Sequence, residues 1–255
     1  MLRLPARLRQ AVLTWHFRRK EKLMNTNVNL EAAVGILAFL GTAFVLGLAV
    51  LIIIHAIKTR KRARAGRVGL AGLAVLGLYL VLLVAFSFMS REKALAFGEE
   101  KHFCEIDCHL AYSVTNVRET KTLQSPADEA TAEGIFYVVT IKTRFDETTI
   151  SRTRGNGLLW PNSRIVTILD EEGNSYSPST EGQRALDGSQ PGGGSTPLDT
   201  PLRPGESYMT DLVFDLPAGI KNPELLMREG EFITHFIIGH ENSFWHKKTK
   251  FRLES

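Results

Sequence analysis

Two stretches of the chain are apolar on every side. Residues 32–57, AAVGILAFLGTAFVLGLAVLIIIHAI, contain no charged side chain apart from His55, and residues 68–89, VGLAGLAVLGLYLVLLVAFSFM, contain none. A bilayer core about 30 Å thick needs about 20 apolar residues in a helix, and both runs reach that length. Helices of soluble domains keep a polar face, so the pattern predicts a two-helix transmembrane hairpin, 32–57 and 68–89.

Beyond a connector at 90–101 the period changes to two. In GIFYVVTIKTRFD, Ile135, Tyr137, Val139, Ile141, Thr143 and Phe145 fall on one face, with Phe136, Val138, Thr140, Lys142 and Arg144 on the other. That is a strand with one buried face. SRIVTILD is a second strand, closed by the turn DEEGN around Gly173. SYMTDLVFDL alternates again, with Tyr208, Leu212, Phe214 and Leu216 together. PELLMRE, FITHFIIG and TKFRLE read as further strands. Turn residues between strands and no convincing helix predict an all-β antiparallel sandwich over 102–255. Residues 118–133 read as a polar loop. Residues 177–203, rich in Gly, Pro, Ser and Thr, read as a flexible loop.

Charge adds a direction. The loop 58–67 carries Lys58, Arg60, Lys61, Arg62, Arg64 and Arg67, and short loops this basic stay in the cytoplasm. Both chain ends then lie outside. Residues 1–89 hold 13 basic and two acidic residues, net +11, and residues 90–255 hold 18 and 25, net −7. The basic balance belongs to the anchor, so it does not argue for a nucleic-acid partner. The tail 1–31 conflicts with this topology, because seven cations precede Met24. Either translation starts at Met24, the preferred reading, or residues 2–17 form a basic amphipathic helix on the membrane surface.

The order FYVVTIKTRF, LDEEGNSY, LRPGESYMTDLVFDLPAG resembles the telokin-like, immunoglobulin-like domains of unknown function on bacterial membrane proteins and lipoproteins. Asp170, Gly173, Tyr176, Pro204, Gly205, Phe214 and Pro217 carry the likeness, over roughly residues 103–253. It implies an immunoglobulin-like fold on the extracytoplasmic side of the inner membrane, and no chemistry. The two-helix anchor and the HFCEIDCH stretch depart from that family.

HFCEIDCH holds both cysteines. Read as a strand, it puts Cys104, Ile106, Cys108, Leu110, Tyr112 and Val114 on one inward face. Four residues of strand span about 13 Å, too far for a Cys104–Cys108 disulfide, whose Cα atoms must lie within about 7 Å. A bend would permit the bond. The Cys-x-x-x-Cys spacing also resembles copper loops of Sco-type chaperones and of cytochrome oxidase subunit II. Cys104, Cys108 and His109 are then the metal candidates, with His102, His235, His240 or His246 to complete a copper site. Buried unbridged thiols, pairing with another chain, and a variant haem attachment are the other readings. No nucleophile elbow or phosphate-cradling loop occurs. The expectation is a binding or structural module of the envelope, held in lipid and facing another envelope protein, without catalysis or cofactor. Copper or thiol-redox handling is the alternative.

Overall fold

The structure, a computed structural model, describes residues 28–103, 109–125, 129–150, 153–189 and 195–254. Cys104 and Cys108, and the basic tail before Met24, lie outside these residues.

The two apolar runs are helices, α1 (Ala32–Lys58) and α2 (Arg62–Met89), each long and apolar enough to cross a membrane. They are candidate membrane-spanning helices near the N-terminus. At 1.5 Å per residue each is about 40 Å long. They extend into the basic loop, so Lys58 ends α1 and Arg62, Arg64 and Arg67 lie in α2. Only Thr59, Arg60 and Lys61 make the turn. Arg60 takes φ 57°, and the Thr59 hydroxyl donates to the His55 carbonyl. Gly72 faces α1, where a Cβ would stand in ordinary contact with Ala49 and Leu46 at 3.8 Å.

The β domain has two sheets. One has the order β1-β9-β8-β5-β6, the other β2-β3-β4-β7. The strands are β1 (Lys93–Leu95), β2 (Lys101–Phe103), β3 (Leu110–Gln124), β4 (Glu129–Phe145), β5 (Arg164–Leu169), β6 (Ser175–Tyr176), β7 (Ser207–Leu216), β8 (Glu224–Glu229) and β9 (Thr249–Arg252). All pairings are antiparallel except β1 with β9. One core joins the sheets. Leu110, Tyr112, Val114, Tyr137, Val139, Ile141, Phe145, Phe214 and Leu216 from one meet Leu95, Val166, Ile168, Leu225, Met227 and Phe251 from the other.

Three expectations change. The loop 177–203 contains a helix, α3 (Thr180–Ser189), which buries Ala185 and Leu186 against Phe136, Val138 and Val213. Ser179 starts it, its hydroxyl accepting from the Gly182 amide. Gln183 reaches the edge strand β7, accepting from the Val213 amide at 3.1 Å and donating to the Asp211 carbonyl at 3.1 Å. The polar stretch 118–133 is not a loop, because β3 and β4 run through it with Thr122 opposite Thr131. Its outward polar residues hide the inward Leu123, Ala130 and Ala132, which α3 covers. FITHFIIG is not a strand. Phe232–Phe236 forms a 3₁₀ turn within the connection from β8 to β9, which packs on the helices instead of pairing in a sheet.

Candidate functional site

β1 starts four residues after α2 ends, and β9 runs parallel beside it. The start of β9, the end of β8 and the start of β5 therefore face the helices. Here the domain concentrates its buried charge.

Lys101, on the short strand β2, has a fully buried side chain. Its ammonium donates to the Met227 carbonyl at 2.7 Å, the Thr249 carbonyl at 3.1 Å and Glu241 Oε1 at 2.9 Å. It thus fastens one sheet to β8 and β9 of the other. Burial pushes its pKa down, and Glu241 only partly opposes this. Glu241 also accepts from the Thr249 amide at 2.6 Å, and its carbonyl accepts from the Lys248 ammonium. Burial brings Lys248 down to about 8.

Beside this pair stand His240 and Glu229, both buried, with Nε2 3.4 Å from Oε2. His240 Nδ1 accepts from the Asn242 amide at 3.0 Å, so the ring hydrogen is on Nε2, facing the carboxylate. Burial raises the Glu229 pKa, but His240, Arg164 and Lys101 outweigh that and hold it low. The Asn242 amide nitrogen donates to Thr234 Oγ1 at 2.7 Å and the Glu229 carbonyl at 3.3 Å.

A second network surrounds Asp146, just past β4. Its side chain is 1% exposed. Oδ1 accepts from the Thr148 amide at 3.0 Å and hydroxyl at 2.7 Å. Oδ2 faces His102 Nε2 at 3.2 Å and Arg144 Nη2 at 3.3 Å. Burial alone would raise its pKa, yet the Thr148, Arg144 and His102 bonds hold it far below the usual carboxylate range. Arg144 grips Glu100 with two bonds of 2.7 Å, which lowers the Glu100 carboxyl.

The residues singled out by sequence are distributed as follows. His109 is buried beside this network. Its Nδ1 lies 2.6 Å from Thr149 Oγ1, and that hydroxyl donates to the Asp146 carbonyl at 2.8 Å. His109 Nδ1 is therefore the donor. The ring stacks on Phe145 at 5.5 Å. His102 also hangs on Asp146, and its buried Nδ1 has no hydrogen-bond partner among the described residues. The two histidines flanking the cysteines thus share one anchor. His240 belongs to Glu229. His246 lies near Asn29, with Nε2 3.4 Å from Oδ1, and burial lowers its pKa. His235 sits among aromatic rings with Nδ1 at 3.0 Å from the Phe232 carbonyl. Among the described residues no three His, Cys, Asp or Glu are grouped to hold a metal ion.

Sequence reasoning missed Lys101, Glu241, Asp146 and Asn242. A lysine directly before His102 and Phe103 in KHF was the available signal, since a lysine at the start of a core strand must bury or bend away.

The helices dock onto this end. The Tyr79 hydroxyl donates to the Phe236 carbonyl at 2.5 Å, and the Asn29 amide to the Gly239 carbonyl at 3.3 Å. The Ser90 hydroxyl accepts from the Lys247 amide at 2.8 Å. Ile238 is buried with Tyr79 and Leu83, and Leu30 packs against them. Gly35 permits this contact, because a Cβ there would lie 2.6 Å from the Ile238 carbonyl oxygen.

At the opposite end, Asp170 closes the hairpin between β5 and β6. It accepts from the Asn174 amide at 2.8 Å and the Tyr176 hydroxyl at 3.0 Å, with Gly173 at φ 86°. A groove of about 370 Å³ runs between this turn and Pro217–Lys221.

No protein-family model matches the chain, and no curated protein matches it either. Solved structures with partial likeness are small β-rich proteins. A conserved hypothetical protein from Bacillus anthracis is 14% identical, with TM-score 0.38, covering 52% of this chain and 88% of its own. The secreted protein MPT63 from Mycobacterium tuberculosis is 12% identical, with TM-score 0.38 and coverage of 64% and 96%. The yjhA protein from Bacillus subtilis is 13% identical, with TM-score 0.37 and coverage of 63% and 99%.

Proposed function

We propose that this chain is a membrane-anchored binding or structural module of the cell envelope. In this reading α1 and α2 span the inner membrane, the basic turn lies in the cytoplasm, and an immunoglobulin-like β-sandwich stands on the extracytoplasmic side. The observation that carries it is the docking of the β domain on the hairpin. Tyr79, Asn29 and Ser90 each bond the connection between β8 and β9. A domain fixed this way holds one end at the helices and displays the other at a set height. The displayed end offers turns rather than a sheet edge to an envelope protein. β1, β2 and β6 are two or three residues long, and α3 covers β7.

The test begins with sidedness. In a background with Cys104 and Cys108 replaced by Ser, Ser175→Cys should react with an impermeant maleimide applied to spheroplasts, and Arg60→Cys should not. The reverse pattern would overturn the topology. A photo-crosslinking side chain at Glu172 or Lys221 should then give an adduct with one defined envelope protein. Absence of any adduct from the displayed turns would remove the binding role.

A second reading is metal or thiol handling by Cys104, Cys108 and His109, with copper suited to such donors. It is favoured by the unpartnered, buried Nδ1 of His102. Under this reading Cys104→Ser alone abolishes copper(I) uptake or redox activity while the domain stays folded. Under the first it changes only packing.

A further inference from the structure

Eight large apolar residues are exposed on the β domain among the described residues, and four lie between 232 and 245. Phe232 is 71% exposed, Ile233 54% and Trp245 68%. The rings form a continuous patch. Phe236 meets Phe232 and Phe244 edge-on, each at 5.4 Å, and Phe244 meets Trp245 at 6.0 Å. Trp245 points its indole outward from φ 60°, a conformation that bulky residues rarely adopt.

The patch lies beside the helices, not above them. From Arg67, its last cation, α2 continues through 22 apolar or neutral residues to Met89. That is about 33 Å, close to the hydrocarbon thickness of a bilayer, so the membrane surface on this side falls near Met89. Tyr79 stands ten residues deeper, about 15 Å along the axis. Its hydroxyl holds the Phe236 carbonyl, which carries the 3₁₀ turn below the level of Met89. Ser90 holds the Lys247 amide at the surface level, and Arg91 and Lys247 are exposed there. Aromatic side chains with cations just above them match a membrane interface.

Irregular backbone tolerates such a place only when its polar groups are bonded within the protein. Thr234 Oγ1 donates to the Glu231 carbonyl at 2.5 Å, and the Ser243 hydroxyl donates to the Ile237 carbonyl. Asn242 completes this inner lining.

We propose that the turn Phe232–Phe236 and the neighbouring rings of Phe244 and Trp245 dip into the lipid on the side that carries the β domain, with Phe232, Ile233 and Trp245 among the upper acyl chains. The proposal rests on α1 and α2 spanning the membrane. It makes the loop a second lipid-binding element that fixes how deep and at what tilt the β domain sits.

The test uses the full chain in phosphatidylcholine vesicles, with Trp15→Phe and Trp160→Phe leaving Trp245 as the only tryptophan. Lipid brominated near the headgroup end of its acyl chain should quench about half of the Trp245 emission, and aqueous acrylamide should quench little. Free quenching by acrylamide without quenching by brominated lipid overturns the proposal. So does protection from both, which would mean that a second copy or another protein covers the patch. A parallel protein, with Trp245→Phe added and Leu73→Trp as reporter, reads the span itself. If Leu73→Trp is quenched by lipid brominated near the chain end and Trp245 is not, only the loop insertion fails. If neither is quenched, the spanning reading fails and takes the insertion with it.

Discussion

The Tyr79 hydroxyl and the Phe236 carbonyl lie 157 positions apart in sequence and 2.5 Å apart in space. This bond joins the middle of α2 to the connection between β8 and β9. Tyr79→Phe removes the donor and leaves a part-buried carbonyl without its partner, at a cost of about 1–3 kcal/mol. The expected outcome in detergent is a lower thermal midpoint and faster proteolysis near Phe236, with strand content retained. An unchanged proteolysis pattern would mean that apolar contact alone holds the loop.

Gly35 and Gly239 make the same junction close. Gly239 takes φ 75°, and a Cβ on it would meet Leu30. Gly35→Val and Gly239→Val should each separate loop from helices. A disulfide-free spin-label pair on Leu40 and Ile233 should report a longer distance in both variants than in the parent.

Breaking the buried ion pair at Lys101 should be severe in one direction. Glu241→Gln leaves a fully buried ammonium without its carboxylate, a loss of about 3–5 kcal/mol. Lys101→Met leaves Glu241 bonded to the Thr249 amide, so the loss should be smaller. Urea unfolding of the two variants checks the order.

Stability should rise with pH in the alkaline range. Lys248 titrates at about 8 in the fold against 10.5 as its ordinary value. Between those values the unfolded chain binds more protons, so raising pH favours the folded form. Lys101, also lowered, acts in the same direction. Lys248→Met should flatten the slope between pH 8 and 10.5, read by thermal midpoints across that window.

Asp146 governs the acid limb with the opposite behaviour. Its folded pKa lies below the ordinary 3.8. Its contribution is complete above 3.8 and is lost as pH falls toward the folded value. Asp146→Asn should lower stability at neutral pH and shrink the loss below pH 4, the ordinary carboxylate range. An acid titration followed by tryptophan emission compares the two.

Much of the architecture was legible from local pattern. The alternation through Ile135, Tyr137, Val139 and Ile141 identified the inward face of β4, and the uncharged runs identified both helices. What failed depended on partners distant in sequence. Phe136 and Val138 looked like a mixed outer face because α3 covers them, and α3 itself carries few apolar residues. FITHFIIG alternates poorly and is apolar because helices, not a sheet, receive it. Lys101 fell in the connector 90–101, and its three acceptors come from residues 126 to 148 positions away. Of the proposed cysteine site, only His109 falls among the described residues, so its geometry rests on the Asp146 network alone.

β9 stands between β1 and β8. The first strand after the helices therefore has no neighbour until Thr249–Arg252 has left the ribosome, and the sheet completes itself last. A chain cut before that point exposes the facing sides of β1 and β8 to proteases, whereas pairing with Thr249–Arg252 hides both. The parallel pairing of β1 with β9 thus ties the segment that leaves the helices to one far along the chain.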